Sequence, residues 1–165
     1  MEREGIMADF NLYWSVYKNL EREVLELTKY VHVDDEQLKV YSMHIADLIV
    51  RCAVEIESLS KELYWLNGGV KLYDDETGKE RDLYFDTDCL NYLDGIWGIC
   101  KKKVIVSCIN IYFEKEENRI ISPLHKANKR GSSGAIWNKA YQAVKHDRKN
   151  SLSKATIKNL IYALV

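Results

Sequence analysis

The sequence predicts a mainly α, single-domain helical bundle over residues 1–165, with one long central helix and small β-hairpins. Three observations carry that expectation. Apolar residues recur at steps of three and four through residues 9–31 and again through 35–66, the spacing of an amphipathic helix. Proline occurs once in 165 residues, so little interrupts those patterns. The length and a hydrophobic content of 47% suit one core and would be cramped for two.

In the first helix Phe10, Tyr13, Trp14, Tyr17, Leu20, Val24, Leu27 and Val31 line one face. Val33-Asp34-Asp35 ends it, and Asp34 with Gln37 reads as a capping box for the next helix. Leu38, Tyr41, Ile45, Leu48, Cys52, Ile56, Leu59, Leu63 and Leu66 continue the pattern to Asn67-Gly68-Gly69, a glycine stop. An unbroken helix over 35–66 would span roughly 45 Å and needs the first helix as an antiparallel cover. Residues 70–85 place Asp-Glu-Thr-Gly between two short Val/Leu/Tyr runs, a hairpin signal. A shorter helix over 86–101 follows, and 103–113 with 119–121 reads as a second hairpin. Residues 122–134, SPLHKANKRGSSG, form a basic loop; a helix over 135–149 and an apolar last helix, capped by Ser151 or Ser153, close the chain.

Composition narrows the function classes. No run of about 18 apolar residues occurs, so no membrane span is expected. The N-terminal MEREGIMADF has mixed charge and no apolar stretch, which predicts no signal peptide and a cytoplasmic location. Cys52, Cys89, Cys100 and Cys108 form no CxxC pair and read as four buried small hydrophobes. The four histidines lack paired ligand spacing, so neither a metal site nor a cofactor is expected. No GxxxxGK[ST] run occurs, which removes P-loop chemistry. The net charge of −1 conceals a division: residues 119–165 hold ten basic residues and one acid, Asp147, while the rest of the chain carries −10. A basic segment on an acidic domain predicts a polyanionic partner, unless the two parts neutralise each other across the fold.

The 135–149 helix, AIWNKAYQAVKHDRK, concentrates the chemistry. Trp137, Ala140, Tyr141 and Val144 share a core-facing stripe, whereas Lys139, Gln142 and His146 share the opposite one. An imidazole takes and gives a proton near neutral pH, and a lysine or arginine stabilises a developing phosphorane charge. These are the needs of metal-independent RNA cleavage by an adjacent 2′-hydroxyl. His146 and Lys139 are the candidate catalytic pair, with Lys145, Arg148 and Gln142 as substrate contacts. Lys126, Lys129 and Arg130, ahead of Gly131-Ser132-Ser133-Gly134 and a helix N-terminus, form a second candidate phosphate site.

The long helical pair followed by WNKAYQAVKHDRKNS and an apolar last helix resembles small bacterial helical-bundle proteins of the HEPN (higher eukaryotes and prokaryotes nucleotide-binding) type, mainly over residues 135–165. In catalytic members an Arg, four to six residues and a His lie on one helix, and two subunits bring the motifs together in a cleft that cuts RNA. His146 matches that His; Lys139, with six residues intervening, stands in the place of the Arg, a point charge instead of a bidentate fork. The resemblance implies an RNA- or nucleotide-binding homodimer and a metal-independent ribonuclease of a prokaryotic defence or toxin–antitoxin type. The competing expectation is a non-catalytic dimeric interaction protein whose basic C-terminal end binds an acidic partner.

Overall fold

The computed structural model describes residues 2–165, with side-chain surroundings from residue 12 onward. It is the mainly helical bundle that the periodicity predicts, with three two-stranded pairings at its edges. Helix α1 (Glu2–Glu26) runs on into a 3₁₀ turn, Leu27–Lys29, and α2 (Met43–Leu66) returns antiparallel beside it. The Arg51–Glu23 ion pair and a hydrogen bond between the Tyr13 and Ser58 hydroxyls mark two levels of that contact. The face of α2 bearing Ile45, Ala46, Leu48, Ile49, Cys52 and Ala53 is almost wholly buried and forms the centre of the core.

Helix α2 begins at Met43, not near residue 35, and its N-cap is Ser42, whose hydroxyl accepts from the Ile45 N–H. Asp34 does accept from the Gln37 N–H, as a capping box requires, but it closes a local turn. The intervening segment is held by tertiary pairing. β1 (Val33–Asp34) lies parallel to β5 (Ile111–Tyr112), a pairing the hairpin reading did not include. The Leu38 and Val40 carbonyls accept from the Lys158 and Ile157 N–H groups of the last helix.

The first predicted hairpin is present as β2 (Leu72–Tyr73) and β3 (Glu80–Arg81), and the second as β4 (Val104–Ile105) against β6 (Ile120–Ile121). The predicted turn before β6 holds one short helical turn, α4 (Glu116–Arg119). The predicted 86–101 helix is divided. Phe85–Leu90 makes a wide π-type turn that leads into α3 (Asn91–Trp97), and Gly98, at φ +62°, ends it. That left-handed backbone is strained for any residue with a Cβ.

Helix α5 (Ile136–His146) is shorter than the expected 135–149. Asp147 leaves helical geometry, accepts from the Asn150 N–H and starts a separate turn, α6 (Arg148–Ser151). Asn150 lies within α6. The last helix, α7 (Ile157–Leu164), is capped by Thr156, not by Ser151 or Ser153, and its Ile157, Leu160 and Ile161 face the core. Cys52 and Cys89 are buried as expected; Cys100 and Cys108 are half-buried. Among the described residues no helix is long and apolar enough to cross a membrane.

Candidate nucleic-acid interface

Helix α5 is anchored through its buried stripe. Trp137, Ala140, Tyr141 and Val144 are at most 2% exposed, as the 100° projection predicts. The Trp137 Nε1–H donates to the Pro123 carbonyl at 2.8 Å, tying the helix to the start of the basic loop. Asn138 is buried as well, although its polar side chain gave no reason to place it there, and its Oδ1 finds no partner among the described residues.

The basic loop is pinned at several points. Ala127 is fully buried and acts as its peg. The Asn128 amide donates to Asn91 at 3.2 Å, and a Cβ on Gly134 would stand 2.9 Å from the Lys129 carbonyl, so the chain passes itself closely there. The Arg130 Nε donates to buried Asp86 at 2.8 Å, and its guanidinium lies 3.6 Å from the Tyr84 ring centroid. Arg81 and Asp88 form a second ion pair beside the same ring, and the Arg81 hydrogen bond holds the Asp88 carboxyl below its ordinary range. Lys126 adopts a left-handed backbone, φ 61°, uncommon for a residue other than glycine. Pinned backbone on both sides fixes that turn, and Lys126 and Lys129 are exposed on it.

The outward stripe of α5 is only partly as expected. Lys139 and His146 are exposed, while Gln142 is half-buried. The Lys139 amine reaches back to the Ser132 carbonyl at 3.4 Å, toward the N-terminal end of the helix. His146 lies seven residues on, about 10 Å along the axis at 1.5 Å per residue. Within one chain the two candidate catalytic side chains therefore diverge. The cations nearest His146 in sequence are Lys145, whose amine stands 5.3 Å from the Tyr141 ring centroid, and Arg148. Arg148 donates to Asp47 on α2 at 2.8 Å, so part of its guanidinium is engaged.

Only two ion pairs, Arg130–Asp86 and Arg148–Asp47, join the basic segment to acids among the described residues. Asp147, the one acid within the segment, is occupied by the Asn150 amide at 2.9 Å. Lys126, Lys129, Lys139 and Lys145 have no carboxylate partner among the described residues. Among the described residues, neutralisation across the fold thus reaches two of the ten cations. No cluster of three or more His, Cys, Asp or Glu side chains with metal-ligand geometry occurs among the described residues.

No protein-family model, curated protein or solved structure matches this chain.

Proposed function

We propose that this chain is a HEPN-like RNA-binding protein that works as a homodimer, with the 124–130 loop and the outward side of α5 holding the sugar–phosphate backbone. The observation that carries this reading is the uncompensated charge. Four lysines on a pinned loop and one rigid helix lack carboxylate partners, in a segment of net charge +9. Fixed amines of this kind bind phosphates by releasing condensed counterions, without reference to base sequence.

A ribonuclease step is assigned to His146. The 2′-hydroxyl attacks the adjacent phosphorus and gives up its proton to a base. The new O2′–P bond closes a cyclic phosphate, and the P–O5′ bond breaks as the leaving oxygen is protonated. An exposed imidazole serves as base or acid, and a neighbouring cation steadies the phosphorane. Because Lys139 points away from His146, a complete constellation needs the second subunit of the homodimer.

The same divergence favours the second reading, a non-catalytic dimer whose basic end docks on an acidic protein surface. One experiment separates the two. Mixed-sequence single-stranded RNA is incubated with the wild-type and His146→Ala proteins, with and without chelator, and binding and cleavage are read separately. The ribonuclease reading requires chelator-insensitive cleavage that His146→Ala slows by about 10²- to 10⁴-fold while affinity is kept. Binding without cleavage leaves an RNA-binding protein and removes the catalytic assignment. No binding at low salt removes RNA altogether and leaves the acidic-partner reading.

A further inference from the structure

On the side of the bundle formed by α1, α2, α3 and the end of α7 lies a cavity of about 330 Å³. That volume falls within the range of small-molecule sites, which are mostly apolar with a few placed polar groups. Leu20, Cys52, Leu59, Leu63 and Leu93 supply apolar wall, and Tyr13, Tyr17, Trp97 and Tyr162 add aromatic surface. Trp97 is 42% exposed, so part of the wall reaches solvent.

The polar groups of the wall are unequal. The Tyr13 hydroxyl is engaged with Ser58, the Tyr17 hydroxyl donates to Glu21, and the Ser60 hydroxyl donates to the Glu57 carbonyl. Cys52 is not an anion, since burial pushes its thiol up to about 12. Glu55 differs. The residue is half-buried, and its carboxylate has no hydrogen-bond or ion-pair partner among the described residues. Arg51, one turn earlier, is taken by Glu23, and Lys61, further along α2, by Glu57. No Lys, Arg or His lines the cavity among the described residues. An apolar cavity with the unpaired Glu55 side chain on its wall, several aromatic rings and no lining cation is complementary to a molecule with an apolar body and one positive charge. Aromatic faces attract ammonium groups directly. A fatty acid or other organic anion would meet Glu55 with no cation to hold it.

We propose that this cavity binds a small hydrophobic amine, with its apolar body among Leu59, Leu63 and Leu93 and its ammonium group against Glu55. The wall reaches the start of the basic loop at Pro123 and Leu124, but none of the loop's cations lines the cavity, and the proposal does not depend on the RNA reading.

The test uses the whole chain and two probes of one shape and opposite charge, 4-phenylbutylamine and 4-phenylbutanoate, titrated at neutral pH by calorimetry. The amine binds saturably, and the acid binds at least tenfold more weakly. Glu55→Gln weakens the amine about tenfold and removes the preference, and Leu59→Trp, which fills the cavity, abolishes binding. Circular dichroism checks that both variants are folded. If Leu59→Trp does not fold, intermolecular NOEs between the phenyl ring and the Ile56 and Leu93 methyls in the wild type take its place. Equal affinity for the two probes, no effect of Glu55→Gln, no binding of the amine at millimolar concentration, or NOEs to residues elsewhere would each overturn the proposal.

Discussion

Replacing Trp137 with Phe tests how the basic loop is held to the core. The indole is fully buried, and its N–H donates to the Pro123 carbonyl at 2.8 Å. The phenyl ring keeps the aromatic packing but leaves a buried carbonyl without that donor, at a cost of about 1–3 kcal/mol. The smaller ring also opens roughly 40 Å³, and at ~24 cal/mol per Å³ of cavity this adds about 1 kcal/mol. The expected loss is therefore about 2–4 kcal/mol, which for a chain of this size lowers Tm by roughly 5–15 °C. Urea unfolding followed by circular dichroism measures it, with an unchanged m-value showing that the same surface is exposed. Amide exchange in residues 122–134 should rise as well, because the loop loses one of its ties. A loss under about 0.5 kcal/mol with unchanged exchange would refute the view that this bond anchors the loop.

Leu48, 1% exposed at the centre of α2, should cost about 2–5 kcal/mol when changed to Ala, read from the same urea transition. The Asp88 carboxyl titrates below its ordinary range because Arg81 bonds it, so its contribution is present above the unfolded value and lost as pH falls through the folded one. Asp88→Asn should thus be less stable than wild type at pH 7, and the gap should close as pH falls below the ordinary carboxylate range and Asp88 is protonated in the folded state; a gap that does not narrow on acidification contradicts the pairing. Cys52 and Cys89, buried and pushed up to about 12 and about 11, should resist iodoacetamide at pH 8 in the folded protein and react in guanidinium. Mass spectrometry of the labelled sites decides this, and rapid labelling of Cys52 in the native state would show that the core opens readily.

The elements legible in the sequence are those fixed by local pattern. The 100° spacing of Trp137, Ala140, Tyr141 and Val144 identified the buried side of α5, and the three-four repeat identified the pairing of α1 with α2. The illegible parts are set by distant partners. Leu38 keeps helical spacing with Ile45 and is buried, yet its carbonyl accepts from α7, 120 residues away in the sequence, and the backbone is not helical there. The pairing of β1 with β5 brings together segments nearly 80 residues apart, and neither two-residue strand announces the other. At the end of α5 the Asp147 side chain offered a competing turn through Asn150, which broke the expected helix four residues after Ala143.

The candidate site divides in the same way. The charge excess of residues 119–165 is visible by counting, but the acids that engage Arg130 and Arg148 lie on the 85–90 turn and on α2, and only the fold brings them close. Gln142, placed by projection on the outward stripe, is half-buried, which the 100° spacing alone does not show. Asn138 and the unpaired Glu55 belong to no motif, and only burial and the lack of a bonded partner among the described residues single them out.

The central claim, that uncompensated lysines bind RNA backbone, is tested most directly by the salt dependence of binding. Fluorescence anisotropy with a labelled mixed-sequence single strand gives affinity at 50 and 200 mM salt. Contacts from Lys126, Lys129, Lys139 and Lys145, at about −0.7 per contact, predict a log–log slope near −3, or about fiftyfold weaker binding at the higher salt. Lys129→Glu should weaken binding and flatten that slope by about one contact while the circular dichroism spectrum is unchanged. An affinity that does not change with salt, or no binding at 50 mM, would contradict the account.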